Sequence, residues 1–166
     1  MGPDPRARRV LVVNAFAALA LTVSGCGAGG RHATHLASTG QRVVRSEYAQ
    51  PDPEFTPGTL CQDTDKYFDG YRYAEHVAHC KRHVTKAMKL EIAKNYGVDE
   101  ADFSDYEFDH YLPLGIGGST DVSNIWPQPI DEAKVKDKLE NQLYEEMKDG
   151  DVSQADAVQQ IRDWGH

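Results

Sequence analysis

An alternating segment that ends in a proline and a cluster of glycines constrains the fold of this chain most. Residues 106–112 alternate between apolar and polar side chains, which is typical of a short, half-buried β-strand. Pro113 ends this strand because proline has no amide hydrogen to donate to a sheet. The three glycines within residues 115–118 predict a turn, and Ile125-Trp126 is the candidate second strand. The sequence therefore predicts two strands joined through a glycine turn.

Three helices are predicted around these strands. Thr85 is placed to cap a helix that ends at Tyr96-Gly97. The next helix ends at Gly150 and has an apolar residue at every fourth position: Val135, Leu139, Leu143 and Met147. Ser153 begins the last helix in the manner of a capping box, and the apolar face of this helix consists of Ala157, Val158, Ile161 and Trp164. The expected fold class is α+β, with a small ββα core and flanking helices.

The N-terminus has the order of residues found in secretory signals. Three arginines precede an uncharged run from Val10 to Val23, which is shorter than the roughly 20 residues that span a bilayer core. Val23-Ser24-Gly25-Cys26 resembles the bacterial lipobox, in which the cysteine is lipidated. An ordinary signal peptide with a chance cysteine is the alternative. We therefore expect a signal peptide over residues 1–25, export, and a membrane lipid anchor at Cys26 on the extracytoplasmic side.

Composition divides the remainder of the chain. Residues 26–57 are rich in Gly, Ser, Thr, Gln and Pro without apolar periodicity, which predicts a flexible linker, and residues 58–166 are long enough for one small domain. The chain has 18 basic and 26 acidic side chains and a net charge of −8. This charge disfavours non-specific coating of nucleic acid, although a bound cation or a local basic strip can oppose it.

The cysteines favour a disulfide. With Cys26 assigned to lipidation, Cys61 and Cys80 remain as an even pair in an exported chain, for which a disulfide is the default. Closing this loop would stabilise the fold by roughly 3 kcal/mol. The alternative is a zinc site that uses nearby histidines, although the spacing matches no standard zinc motif. These histidines are His76, His79 and His83.

One segment carries a specific combination of residues. Asp109-His110 is followed by Pro113, the glycine turn, Asn124 and Trp126-Pro127-Gln128. This pattern resembles the HNH endonuclease superfamily, and in particular an exported bacterial branch with the Trp-Pro-Gln extension. The resemblance implies a ββα-metal fold that hydrolyses phosphodiester bonds of DNA or RNA. It also implies a divalent cation, with Mg²⁺ or Mn²⁺ favoured and Zn²⁺ as the alternative.

The resemblance also implies roles for single residues. Asp109 would hold the metal, and His110 would accept the proton of the attacking water, since a neutral imidazole is a suitable base near neutral pH. Asn124, or a backbone carbonyl, would fix the tautomer of His110. The alternative is that His110 is a buried histidine satisfied by Asp109.

The match is weaker on the helix after the hairpin. Many relatives have a His or Asn ligand at a position where this chain has Lys134, whose ammonium could contact a phosphate instead. A nearby carboxylate could complete the metal site, since Mg²⁺ and Mn²⁺ prefer oxygen ligands. The candidates are Asp131, Glu132 and Asp137.

The basic residues before the first helix are the candidate phosphate-binding strip. Lys81, Arg82 and Lys86, together with Lys134, are the predicted substrate-binding residues; a solvated helix face is the alternative. Two functions are consistent with the sequence. One is a metal-dependent HNH-type nuclease anchored to the cell envelope, with nucleic acid as its substrate. The other is a catalytically degenerate HNH fold that serves as a binding or structural module, which the acidic charge and Lys134 favour.

Overall fold

The computed structural model describes residues 48–165. Two antiparallel two-stranded sheets and three α-helices make up this part of the chain, which confirms the α+β class. In chain order the elements are β1 (Phe68–Arg72), β2 (Val77–Cys80), α1 (Lys86–Tyr96), β3 (Tyr106–His110), β4 (Ile125–Pro129), α2 (Ile130–Asp149) and α3 (Gln154–Asp163).

The first hairpin, β1 with β2, is a feature that the sequence pattern does not predict. Phe68 is opposite Cys80, and Cys80 forms the predicted disulfide with Cys61, with 5.7 Å between the Cα atoms. The bond therefore ties the segment before β1 to the end of β2. Within residues 48–165, no group of potential metal ligands includes the neighbouring histidines, so the disulfide replaces the zinc alternative.

The second hairpin, β3 with β4, forms where the sequence predicts two strands. His110 is opposite Ile125, and the strands pair antiparallel along their whole length. The connection over residues 111–124 is a folded loop rather than a tight turn, and it contains two short 3-10 turns. Gly118 lies so close to the loop backbone that a Cβ atom there would be 1.8 Å from the Leu112 oxygen. The glycines therefore allow the loop to fold back on itself.

The helix ends for which the sequence makes a prediction lie close to the predicted residues. The Thr85 side chain accepts a hydrogen bond from the amide of Met88 and caps α1, and the Ser153 side chain accepts from Asp156 and caps α3. The left-handed Gly150 ends α2, as a C-terminal glycine commonly does. These ends are set by local hydrogen bonds, and for that reason the sequence predicts them well.

Two apolar clusters hold the elements together. One packs α1 against the second hairpin and contains Ile92, Ala93, Phe108 and Ile125. The other joins β2, the loop of residues 111–124, α2 and α3, and contains Val77, Leu112, Ile116, Leu143, Met147, Ala157 and Ile161. The second hairpin thus has α1 on one face, and the contact of β3 with Lys136 places α2 on the other.

The N-terminal boundary of the domain differs from the prediction. Residues 48–57 were expected to belong to the flexible linker, yet the Tyr48 ring stacks on Trp164 with 4.6 Å between centroids. Thr56 is 1% exposed and hydrogen-bonds to the hydroxyl of Tyr96 and to the backbone oxygen of Ile125. The folded domain therefore includes residues from Tyr48 onward. Proline and polar composition suggested a linker, but the polar groups of this segment are satisfied by the domain.

Other predictions lie outside the described residues. These are the signal peptide over residues 1–25, lipidation of Cys26, and the linker up to residue 47. In residues 48–165, no helix has the length and apolar character needed to cross a membrane.

Candidate functional site

Asp109 and His110 lie at the end of β3 and point to opposite faces of the second hairpin. Side chains alternate along a strand, so His110 shares a face with Phe108, which packs against α1. Asp109 is on the face covered by α2. The two side chains therefore lie on opposite sides of the strand.

The carboxylate of Asp109 is bound to the ammonium group of Lys136 on α2. Lys136 is only 2% exposed, and its Nζ donates to Asp109 Oδ2 at 2.7 Å and to the backbone oxygen of His110 at 2.9 Å. It also donates to Oε1 of Glu140, one turn further along the helix. An ammonium group has three donors, and all three are used. This pairing offsets the large cost of burying a charged lysine.

The charges in this cluster determine where a proton resides. Burial lowers the pKa of Lys136, but the negative charges of Asp109 and Glu140 outweigh burial and leave the pKa raised. Burial raises the pKa of Glu140 to about 7, although Lys136 opposes the shift. A single ammonium therefore serves two carboxylates, and burial brings the pKa of Glu140 to about 7, near neutral pH.

The imidazole of His110 is enclosed and uncharged. Its exposure is 2%, and burial lowers its pKa to about 4, with smaller opposing and reinforcing effects from Asp109, Arg82 and Lys136. Its Nε2 atom is buried and has no hydrogen-bond partner within residues 48–165. Unpaired buried polar atoms are uncommon in folded proteins, and the others within residues 48–165 belong to His79, Trp126 and Gln128. The ring is therefore neutral at neutral pH and has one ring nitrogen without a hydrogen bond, and within residues 48–165 Asp109 makes no hydrogen bond to it.

Asn124 is wholly buried, but its amide contacts the loop and not the imidazole. The side-chain oxygen accepts from the amide of Leu112 at 3.0 Å, and the side-chain nitrogen donates to the backbone oxygens of Leu112 and Ser119 at 2.9 and 2.8 Å. The expected hydrogen bond to His110 is absent from these contacts. Asn124 instead holds together the loop that follows the Asp109-His110 pair.

The four predicted substrate-binding residues are exposed and paired with acids. Lys81 contacts Asp69 at 3.2 Å, Lys86 contacts Glu100 at 2.5 Å, and Lys134 contacts Asp131 at 2.9 Å. Arg82 is 3.9 Å from Glu107 and is the one of the four whose charge acts on the His110 ring. Surface pairs of this kind are worth about 0–1 kcal/mol, so each pair contributes little to stability.

A divalent cation does not fit Asp109 in this arrangement. Within residues 48–165, no group of three or more potential metal ligands includes Asp109, and the one such group consists of Asp65 and the two disulfide cysteines. Asp131, a candidate for an additional ligand, is exposed and paired with Lys134. In this structure, Asp109 pairs with the ammonium of Lys136 and not with a metal-ligand group.

Lys136 and Glu140 are the two residues of this cluster to which the sequence assigned no role. Their spacing of four residues is the spacing of helical ion pairs, which is the only sequence signal for their contact. The apolar stripe of α2 gives no indication that a lysine beside it is buried. Its burial follows from the packing of α2 across β3.

No protein-family model, curated protein or solved structure matches this chain. The resemblance to the HNH superfamily therefore rests on the residues of the chain itself.

Proposed function

We propose that β3, β4 and α2 form an HNH-type ββα unit, and that the domain hydrolyses phosphodiester bonds of nucleic acid at the cell envelope. The observation that supports this most is His110, a neutral and unpaired base at the end of β3, followed by a hairpin that leads directly into α2. Asn124 supports the proposal by bracing the loop between the two strands.

In the proposed reaction, a water oxygen forms a bond to phosphorus and transfers a proton to Nε2 of His110. The bond from phosphorus to the leaving oxygen then breaks, and this oxygen takes a proton from solvent. A pKa of about 4 keeps the imidazole in its accepting form at neutral pH. Because the ring is 2% exposed, the substrate must displace the side chains that cover it. The charge of Arg82 acts on the ring, and a phosphate could replace Glu107 in the long Arg82–Glu107 pair. No step is assigned to a metal.

A cleavage assay with two histidine variants tests this proposal. The mature chain is incubated with supercoiled DNA or with RNA, in Mg²⁺, in Mn²⁺ or in a chelator. His110→Ala is expected to lower the cleavage rate by about 10² to 10⁴. His79→Ala is the matched control, because Nδ1 of His79 on β2 is likewise buried without a hydrogen-bond partner in the described part of the chain. Full activity of His110→Ala would contradict the proposed role of the ring.

The second candidate is a degenerate HNH fold that serves as a binding or structural module of the cell surface. The buried Lys136–Asp109 pair favours it, since the carboxylate expected to hold a metal is neutralised inside the protein. Absence of cleavage of DNA and RNA under every ionic condition, from a chain that unfolds cooperatively, would favour this candidate over the first.

The envelope location is part of both candidates. Lipidation of Cys26 would leave the domain attached to the membrane through residues 27–47. Fractionation of cells that produce the full chain or its Cys26→Ser variant tests this location. The full chain is expected with the membranes and the variant in the soluble exported fraction, whereas identical fractionation would contradict the anchor.

A further inference from the structure

The oxygen atoms around Lys136 are arranged as in a cation-binding site, and the ammonium group of Lys136 is the cation. Three oxygen atoms converge on the ammonium group: Oδ2 of Asp109, the backbone oxygen of His110 and Oε1 of Glu140. Two come from β3 and one from α2. Carboxylate and carbonyl oxygens are also the ligands that Mg²⁺ and Mn²⁺ prefer.

The charge balance of the cluster also resembles that of a divalent site. Two carboxylates face a single ammonium, so that full ionisation leaves one negative charge in excess. A cation of charge two would neutralise both. An ammonium and a metal ion would compete for the same three oxygen atoms, because Mg²⁺ binds oxygen at about 2.0–2.1 Å.

We propose that the ammonium of Lys136 permanently takes the place of the divalent cation in this domain, and that Asp109, Glu140 and the His110 carbonyl form a latent metal site that Lys136 occupies. The proposal rests on the proposed function only in treating Asp109 as the position at which related domains hold a metal. An internal salt bridge therefore joins β3 to α2, and the domain folds without metal.

The first test uses the full mature chain and Mn²⁺ as the probe. The unfolding temperature and Mn²⁺ binding, measured by calorimetry, are compared for the wild type and Asp109→Asn. The proposal expects both proteins to respond equally to Mn²⁺, because any Mn²⁺ that binds does so at other acidic residues. Specific Mn²⁺ binding that is present in the wild type and lost in Asp109→Asn would overturn it.

The second test removes the ammonium. Lys136→Ala is expected to unfold at a lower temperature in chelator, because it leaves two carboxylates without their partner. Mn²⁺ is expected to raise this temperature by several degrees. The response should vanish in Lys136→Ala/Asp109→Asn, since the double variant lacks a ligand of the latent site.

Lys134→Ala is the matched control, because Lys134 lies on the same helix but is exposed and paired at the surface. It should behave as the wild type does. A folded Lys136→Ala without an Asp109-dependent response to Mn²⁺ would overturn the latent site. If Lys136→Ala does not fold in chelator, recovery of cooperative unfolding on addition of Mn²⁺ supports the proposal, and failure to recover contradicts it. None of these measurements uses cleavage activity, so their outcome is independent of whether the domain is a nuclease.

Discussion

At the scale of single residues, the loop between β3 and β4 depends on a glycine that tolerates no side chain. A Cβ atom at Gly118 would lie 1.8 Å from the backbone oxygen of Leu112, whereas a Cβ atom at Gly115 would be 3.5 Å from Tyr144, an ordinary contact. The same loop is held by the three hydrogen bonds of the Asn124 amide. A side chain at Gly118 would therefore push apart the backbone that Asn124 holds together.

Gly118→Ala is expected to lower the free energy of unfolding by at least about 3 kcal/mol, since the overlap is with backbone and cannot be relieved by a rotamer change. Gly115→Ala serves as the control in the same loop and should change it by no more than about 1 kcal/mol. Urea denaturation of both variants measures the difference. Equal stability of the two variants would show that the loop does not approach itself at Gly118.

At the scale of elements, the segment of residues 48–57 is an integral part of the domain. It contacts the far end of the chain through Tyr48 and Trp164, and it contacts α1 and β4 through the hydroxyl of Thr56. This segment therefore packs against parts of the domain that are distant from it in sequence. Its packing places Tyr48 next to Trp164, directly after the end of α3.

Thr56→Val tests the packing of this segment. The valine has a similar shape but leaves the backbone oxygen of Ile125 without the Thr56 hydroxyl, which should lower the free energy of unfolding by about 1–3 kcal/mol. Thr64→Val, at an exposed position, is the control and should be close to neutral. Chemical denaturation of chains that begin at Cys26 gives both values. A neutral Thr56→Val would mean that the segment is a linker after all.

At the scale of the whole molecule, two buried groups give opposite dependences of stability on pH. The pKa of His110 is lowered to about 4, so the unfolded chain binds its proton first and His110 makes the fold less stable as pH falls from about 6.5 to 4. The pKa of Glu140 is raised to about 7, so the folded chain binds its proton first. Glu140 therefore makes the fold less stable as pH rises from about 4.5 to 7. The two effects oppose each other in the wild type between about pH 4.5 and 6.5.

Variants at these positions should reveal each effect separately. Relative to the wild type, Glu140→Gln should gain stability as pH rises from about 4.5 to 6.5, and His110→Gln should lose stability over the same range. Each difference should approach at most about 3 kcal/mol over the full window. Urea denaturation at several pH values measures them, and the wild type provides the reference for all other titrating groups. Parallel curves for the three proteins would contradict the assignment.

Much of the fold could be predicted because its signals are local. Thr85, Ser153 and Gly150 set helix ends through hydrogen bonds with residues a few positions away, and the alternation before His110 identifies β3. The first hairpin could not be predicted in this way, since β1 and β2 are only five and four residues long and β1 has no buried residue. The disulfide joins the end of β2 to Cys61, which lies 19 residues before Cys80 in the sequence.

By itself, the sequence determined the α+β class, the positions of β3, β4 and the three helices, the disulfide, and the pair Asp109-His110 as the centre of the candidate site. Only the tertiary structure decided what this pair contacts. Lys136 is buried because α2 crosses β3, and this packing turns an ordinary helical lysine into the partner of Asp109. Burial also changes the proton affinity of His110 and Glu140. The reason is that solvation and charge pairing depend on neighbours in space, which a linear pattern of residues does not specify.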